Sequence, residues 1–226
     1  MEDGASSGRN FLALICVLSC RSKVPVRFQV AVRFVVLFLP ISSYPQNNVT
    51  VEHDLAHHAF YVDFASRGQL DLRIRPAEIH IIGGDQDRIV VRVGGRLGLD
   101  SKDVEARFEK HGNSGVLEIT GGPRNDVSIT VQVPKETNLV VRVFAGDVEV
   151  RDIVGDKDVE LNFGALRIGV GDATGYSMVK ASVSSGEIDA RPFGESHGGL
   201  FRSLEKSGNG KYKLRAYVGA GRLTLK

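Results

Sequence analysis

Six stretches of this chain share one pattern: a glycine, a variable residue, an apolar residue, a polar residue, then a second apolar or small residue. They lie at 68–72 (GQLDL), 115–119 (GVLEI), 146–150 (GDVEV), 164–168 (GALRI), 186–190 (GEIDA) and 221–225 (GRLTL). Alternation of apolar and polar residues is the mark of a strand with one face buried. A glycine at the start of each unit supplies a sharp turn, often at positive φ. Between 146 and 186 glycines also stand at 155, 164 and 175, so the spacings are 9, 9, 11 and 11 residues. One strand plus one turn occupies about that length, and a pair makes a rung of about 20 residues.

Such a repeat predicts an all-β chain, a β-solenoid-like stack of short strands joined by glycine turns. A single rung cannot bury its apolar side, but a stack can. The alternative is an antiparallel β-sandwich, which also has short strands at roughly 8–12-residue spacing. The polar position inside the unit is acidic at Asp71, Glu118, Glu149 and Asp189, and is Arg167 in the fourth copy. If the third to fifth copies stack in chain order, Arg167 lies between Glu149 and Asp189 and relieves their repulsion. These charges then form a structural ladder rather than a binding stripe.

Other segments alternate in the same way. Strands are expected at 69–74, 78–81, 88–93, 116–120, 127–133 and 139–143, with Pro134 ending the fifth because it donates no ladder hydrogen bond. Residues 94–114 are less regular, and 103–110 suit a short helix or an edge strand.

Residues 1–44 differ from the rest. They hold both cysteines, Cys16 and Cys20, together with five basic and two acidic residues. The remainder therefore carries 24 basic and 25 acidic residues, from totals of 29 and 27. A body this close to neutral has no bulk basic field for nucleic acid. Without cysteine it also has no disulfide framework or thiolate metal site.

The run FVVLFLPI at 34–41, with basic residues before it and Ser42-Ser43 after it, reads as a secretory signal cleaved after Ser43. Its alternatives are an uncleaved membrane anchor over 11–41, a lipoprotein signal ending at Cys20 (after Val17-Leu18-Ser19), or a true start near Val24 or Val26. The expected organisation is a signal peptide or membrane anchor over 1–44, a polar segment over 45–66 and a β-strand-repeat domain over 67–226. The expected location is exported: periplasm, envelope or extracellular space. Contact with a membrane is expected only through the N-terminal segment.

The candidates for chemistry are few. His53, His57 and His58 have helical metal-ligand spacing, with Glu52 or Asp54 as a third ligand. A solvated tail explains them more cheaply. Asp85-Gln86-Asp87 offers oxygens to calcium but lacks a calcium loop's other ligands, so a turn is expected. Residues 169–175 (GVGDATG) lack the spacing of a dinucleotide fingerprint and precede a strand. Residues 208–211 (GNGK) are not a phosphate loop. His111 and His197 have no identifiable nucleophile partner. Glu187, Asp189 and Arg191 could serve a polysaccharide-active β-helix enzyme, although alternating charges on an exposed face account for them. No catalytic, cofactor or metal residue is assigned.

The residues 131–134 (VQVP), 139–143 (LVVRV) and 146–150 (GDVEV), with the later glycine units, resemble the bacterial putative-adhesin family of β-strand-repeat proteins. The upstream 68–74 and 79–91 (IHIIGGDQDRIVV) are similar to the N-terminal part of its members. The resemblance covers about 60–226 and departs at 94–114 and 191–212. It implies an exported or membrane-attached envelope protein with a stacked-strand domain and no catalytic residues. The expected function is adhesion, scaffolding or surface interaction with a protein or polysaccharide ligand of the envelope or surface. A polysaccharide-active enzyme and an envelope-stress sensor are the alternatives. Open strand edges would invite self-association, and 45–66 and 191–212 are the expected caps.

Overall fold

The computed structural model describes residues 48–55, 57–95, 104–122 and 127–226. The signal, anchor and start-site readings of 1–44 lie outside these. The described residues are all-β, with thirteen strands in one sheet: β1 (Asn48–Glu52), β2 (Phe60–Asp63), β3 (Gln69–Ile74), β4 (Ala77–Gly84), β5 (Arg88–Gly95), β6 (Glu105–His111), β7 (Ser114–Thr120), β8 (Val127–Pro134), β9 (Asn138–Arg151), β10 (Lys157–Ile168), β11 (Tyr176–Ala190), β12 (Glu195–Ser207) and β13 (Tyr212–Leu225). The alternating segments all became strands and β8 ends at Pro134; the irregular region supplies β6, a strand rather than a helix, but flanked by β1 and β7 rather than lying at the edge. Among the described residues, no helix is long and apolar enough to cross a membrane.

The sheet turns a corner. β9 pairs with β3 over its first half (Leu139 beside Leu70) and with β4 over its second (Val148 beside Ile79), both in parallel. The corner falls at Gly146, and the later long strands repeat it. Gly164 of β10 lies beside Gly146, Gly221 of β13 beside Gly164, and Gly186 of β11 beside Gly221. These four glycines have φ of +133°, +131°, +144° and +140°. A side chain rarely adopts such angles. Packing excludes one too: a Cβ on Gly164 would overlap the carbonyl oxygen of Gly146, and one on Gly221 that of Gly164. Two independent constraints thus require glycine at each level.

The apolar residues of each unit point into the angle between the two arms. On β9, Leu139, Val141 and Val143 are buried before the corner and Val148 and Val150 after it. Equivalent residues of β3, β4, β10, β11 and β13 join them in one cluster. The arms therefore pack face to face over a single core. Parallel in-register rungs belong to the expected solenoid, while apposed arms with antiparallel edge strands belong to the expected sandwich.

Two expectations about the repeat are corrected. The units at 68 and 115 are not equivalent to the other four. Leu70 and Gly115 pair with each other, and Leu70 pairs with Leu139 on the first arm, while the partner of Gly146 is Ala77. Chain order is not stacking order either. The C-terminal strand β13 sits between β10 and β11, parallel to both. Arg167 therefore lies between Glu149 and Thr224, and Asp189 borders Thr224 on its other side. The reason is local: β11 continues through the turn Arg191–Phe193 into antiparallel β12, so β11 has only one edge left for β13.

The two ends of the core close differently. The segment expected as a polar tail carries β1 and then buries Leu55, Phe60 and Phe64. Phe64 meets Phe108 edge-on, with ring centroids 6.1 Å apart. At the other end, residues 195–207 form β12. Its Glu195 and Lys206 lie opposite the inward-facing Ala190 and Val179, so both point across the mouth of the core. They meet in a 2.8 Å ion pair although eleven positions separate them, which spans the arms. Arg202 Nε donates to the Gly198 carbonyl at 3.1 Å across the same bend.

The corner sets a contrast between glycines. Gly164→Ala is expected to cost at least about 3 kcal/mol, combining strain with overlap on Gly146. Gly171→Ala, at φ +66° with open space around it, is expected to cost about 1 kcal/mol. Urea unfolding of the two variants checks this; equal losses would show that the corner contact is not limiting.

Candidate functional site

The outer faces of both arms are laced with charge, and most of that charge is paired. On the first arm Arg142 lies 3.1 Å from Asp158 and 3.5 Å from Glu160, and Lys180 lies 2.8 Å from Glu205. On the second, Glu149 is met by Lys226 at 2.8 Å, His80 at 3.4 Å and Arg151 at 3.8 Å. The Lys226 ammonium chiefly holds the Glu149 carboxyl below the usual range.

The sequence candidates fall into this framework without converging. His53 reaches Glu105 at 3.1 Å, whereas His57 folds onto Asp54 at 3.0 Å. His53 precedes the turn that the His57 and His58 amides close on the Asp54 carbonyl, and the two rings are held by different carboxylates rather than brought together. The His57 ring lowers the Asp54 pKa. Among the described residues, no group of three or more His, Cys, Asp or Glu is arranged to hold a metal ion.

Asp85-Gln86-Asp87 is the turn between β4 and β5. Asp85 pairs with Lys135 at 2.7 Å, Asp87 accepts from the Ser66 amide at 3.1 Å, and Gln86 accepts from Arg88 at 2.7 Å. In 169–175, Asp172 caps a single turn by accepting from the Thr174 amide at 2.9 Å. Residues 208–211 pack against the same loop, with the Lys211 amide donating to the Gly175 carbonyl at 2.9 Å. His111 lies 3.7 Å from Glu109 at the end of β6. His197 pairs with Ile188 through the β11–β12 ladder. Asp189 and Glu187 are engaged by Arg191 at 2.9 Å and Arg222 at 3.0 Å.

Three features were not singled out from the sequence. The first is a cleft of about 680 Å³ at the strand ends, lined by Arg151, Val154, Val170, Asp172, Tyr212 and Lys226 among others. The second lies behind its Tyr176 wall. Lys157 is 2% exposed, and its ammonium donates to the Tyr176 hydroxyl at 2.6 Å. That hydroxyl donates to the Val170 carbonyl at 3.2 Å. Burial pushes the Lys157 amine down to about 8, against a smaller opposing pull from Asp156, and pushes the Tyr176 phenol up to about 12. The sequence signal for Lys157 was its alternation: it occupies an apolar-face position of β10, in register with Leu139 and Leu214.

The third feature is an exposed apolar row beside the corner. Phe163, Ala220, Ser185 and Leu200 are successive neighbours across β10, β13, β11 and β12. Phe144 stands beside Phe163, with ring centroids 5.5 Å apart. Phe144 is 61% exposed, Phe163 52%, Leu200 65% and Phe201 83%. Two strands of small residues separate the phenylalanine pair from Leu200, so the floor between them is roughly 14 Å across.

No family model matches the chain, and no curated protein matches it. Among solved structures it is similar to a putative cell adhesion protein from Clostridium sporogenes, with 13% identity, coverage of 81% of this chain and 100% of that one, and a TM-score of 0.46. It is also similar to a putative adhesin from Bacteroides fragilis, with 12% identity, coverage of 80% and 99%, and a TM-score of 0.33.

The buried pair gives the protein an alkaline stability profile. Between pH 8 and 10.5 the unfolded chain keeps a proton on Lys157 that the folded chain has released, so stability rises with pH across that window. The full effect is on the order of 3 kcal/mol. Between pH 10 and 12 the unfolded chain ionises Tyr176 first, so stability falls again. Urea midpoints measured from pH 7 to 11 should rise and then decline. Lys157→Met should be the more stable protein at pH 7 and should lose the rising limb; a variant that keeps the rise would place its origin elsewhere.

Proposed function

We propose that this chain is an exported, non-enzymatic cell-envelope protein whose folded sheet presents a surface for adhesion, scaffolding or surface interaction. One observation carries the reading: large apolar side chains stand exposed in a row beside the corner, on a scaffold whose charged faces are already paired. Soluble proteins seldom expose contiguous apolar area of this kind without a use for it. The rows of ion pairs leave the flat faces little unsatisfied charge with which to recognise a ligand. The corner row, by contrast, gains by being covered.

Its chemistry suits a partner with an apolar or ring face. Phe144, Phe163, Leu200 and Phe201 offer apolar contact. Between them Tyr217 and Ser184 share a hydroxyl hydrogen bond at 3.0 Å, from which either hydroxyl could turn to a partner. A protein side chain or a sugar ring meets those terms. The glycine corner holds the row on rigid sheet rather than on a loop, which favours preorganised contact.

Two measurements test the reading. Cell fractionation and surface labelling in the source organism should place the protein in the envelope or outside the cell; a cytosolic pool would sink it. A double variant, Phe144→Ser with Phe163→Ser, should lower retention on isolated envelope material at least about tenfold while changing stability by less than about 1 kcal/mol, because both side chains are exposed. Unchanged retention would remove the corner row from the proposal.

A further inference from the structure

The sheet has two outer strands on its first arm, β1 and β12, and they are built differently. β12 is defended. Its inward positions carry the Glu195–Lys206 ion pair and Arg202. Gly199 and Phe201 at φ of +128° and +51° break its regular twist. Inward charges and kinks are the devices that stop one sheet edge from pairing with another.

β1 has none of these. It is five regular residues, Asn48-Val49-Thr50-Val51-Glu52, without proline, glycine or positive φ. It pairs antiparallel with β6, and among the described residues no strand lies on its other side. Thr50 is opposite the buried Phe108, so Thr50 faces the core side while Val49 and Val51 face outward. Those two valines are 48% and 39% exposed. Their neighbours on β6, Glu109 and Arg107, are paired with each other at 2.6 Å. On the outer face of β6 these two charges thus neutralise each other beside the valines.

We propose that the partner of this edge is a second copy of the same chain, joined β1 to β1 about a two-fold axis through Thr50. Antiparallel pairing on such an axis requires a residue to lie opposite its own copy, because directly opposed residues share a face. With Thr50 at the centre, Val49 meets Val51 of the other copy twice, on the outer face, and Asn48 meets Glu52 twice, on the core face. All five residues pair and no like charges meet. Centring on Val49 instead takes Val51 beyond the strand, and centring on Val51 sets Val49 against His53. The sequence NVTVE is thus self-complementary in one register. The joined first arms make one continuous sheet across the two copies. A five-residue ladder is small for an interface, so the association is weak and concentration-dependent. This inference concerns assembly and stands apart from the corner row.

Sedimentation of the full chain over a concentration series tests it. The expected result is a monomer–dimer equilibrium that Val49→Lys weakens at least about tenfold, since each lysine then faces a valine across the axis. Val49→Lys combined with Val51→Glu should restore dimers, because each lysine now faces a glutamate. In a background with Cys16→Ser and Cys20→Ser, Thr50→Cys should give a disulfide-linked dimer on oxidation, and Ser207→Cys on β12 should not. Circular dichroism of each variant confirms that it is folded; should Val49→Lys fail to fold, the Thr50→Cys and Ser207→Cys pair decides alone. A chain that stays monomeric, a dimer indifferent to Val49→Lys, or cross-linking through residue 207 in place of 50 would each overturn the proposal.

Discussion

The contact on which this structure depends is a carbonyl oxygen lying against a bare Cα. At the corner, the oxygens of Ala77, Gly146, Gly164 and Gly221 each occupy the place where the next strand's Cβ would be. A rung that slipped by one residue would bring a side chain into that space. It would also turn every apolar residue outward, since strand side chains alternate with period two. Steric exclusion at the corner and burial on the arms therefore specify the same register. In parallel strands, where no tight hairpin fixes the alignment, that agreement is what holds the ladder.

Locking the register has an electrostatic consequence. In-register parallel strands bring corresponding positions of successive repeats side by side, so a repeated charge would meet itself. On the second arm the row runs Arg92, Thr130, His80, Glu149, Arg167, Thr224, Asp189, Ser196, with no two like charges adjacent. On the first arm Arg73 does sit beside Arg142. There Arg73 turns to Asp71 at 3.3 Å and Arg142 to Asp158 and Glu160. Such exposed pairs are individually worth little. Their service is to make a forced alignment tolerable.

The sequence made the strands and their buried faces legible, because both follow from alternation that survives in single segments such as Gln69–Ile74. Stacking order was not legible. Nothing in the pattern of β13 distinguishes a sixth rung at the end from one inserted between β10 and β11; that depends on β12 returning antiparallel along β11. The unequal standing of the units at 68 and 115 was hidden for a related reason. Their glycines begin first-arm strands, and the same five-letter pattern serves either side of the corner. Single-residue chemistry was the least visible. The burial of Lys157 follows only from the register that places it beside Leu139 and Leu214, and the exposure of Phe144 and Phe163 only from the bend beside them.

The inserted C-terminal strand links these points. β13 pairs with both β10 and β11, and it carries Leu214, Val218, Leu223 and Leu225 into the core between them. Until it docks, β10 and β11 each present an unpaired parallel edge, and the glycine column is interrupted at Gly221. The buried Lys157 lies at that junction, in register with Leu214 and bonded to Tyr176 at the start of β11. A charge desolvated there is tolerable only once the phenol is in place, and the phenol is placed by the β11–β13 ladder. The C-terminal strand thus completes both the steric column and the buried Lys157–Tyr176 contact. Cooperativity of the fold follows from that closure rather than from rung-by-rung addition, which separates this sheet from a solenoid assembled in chain order.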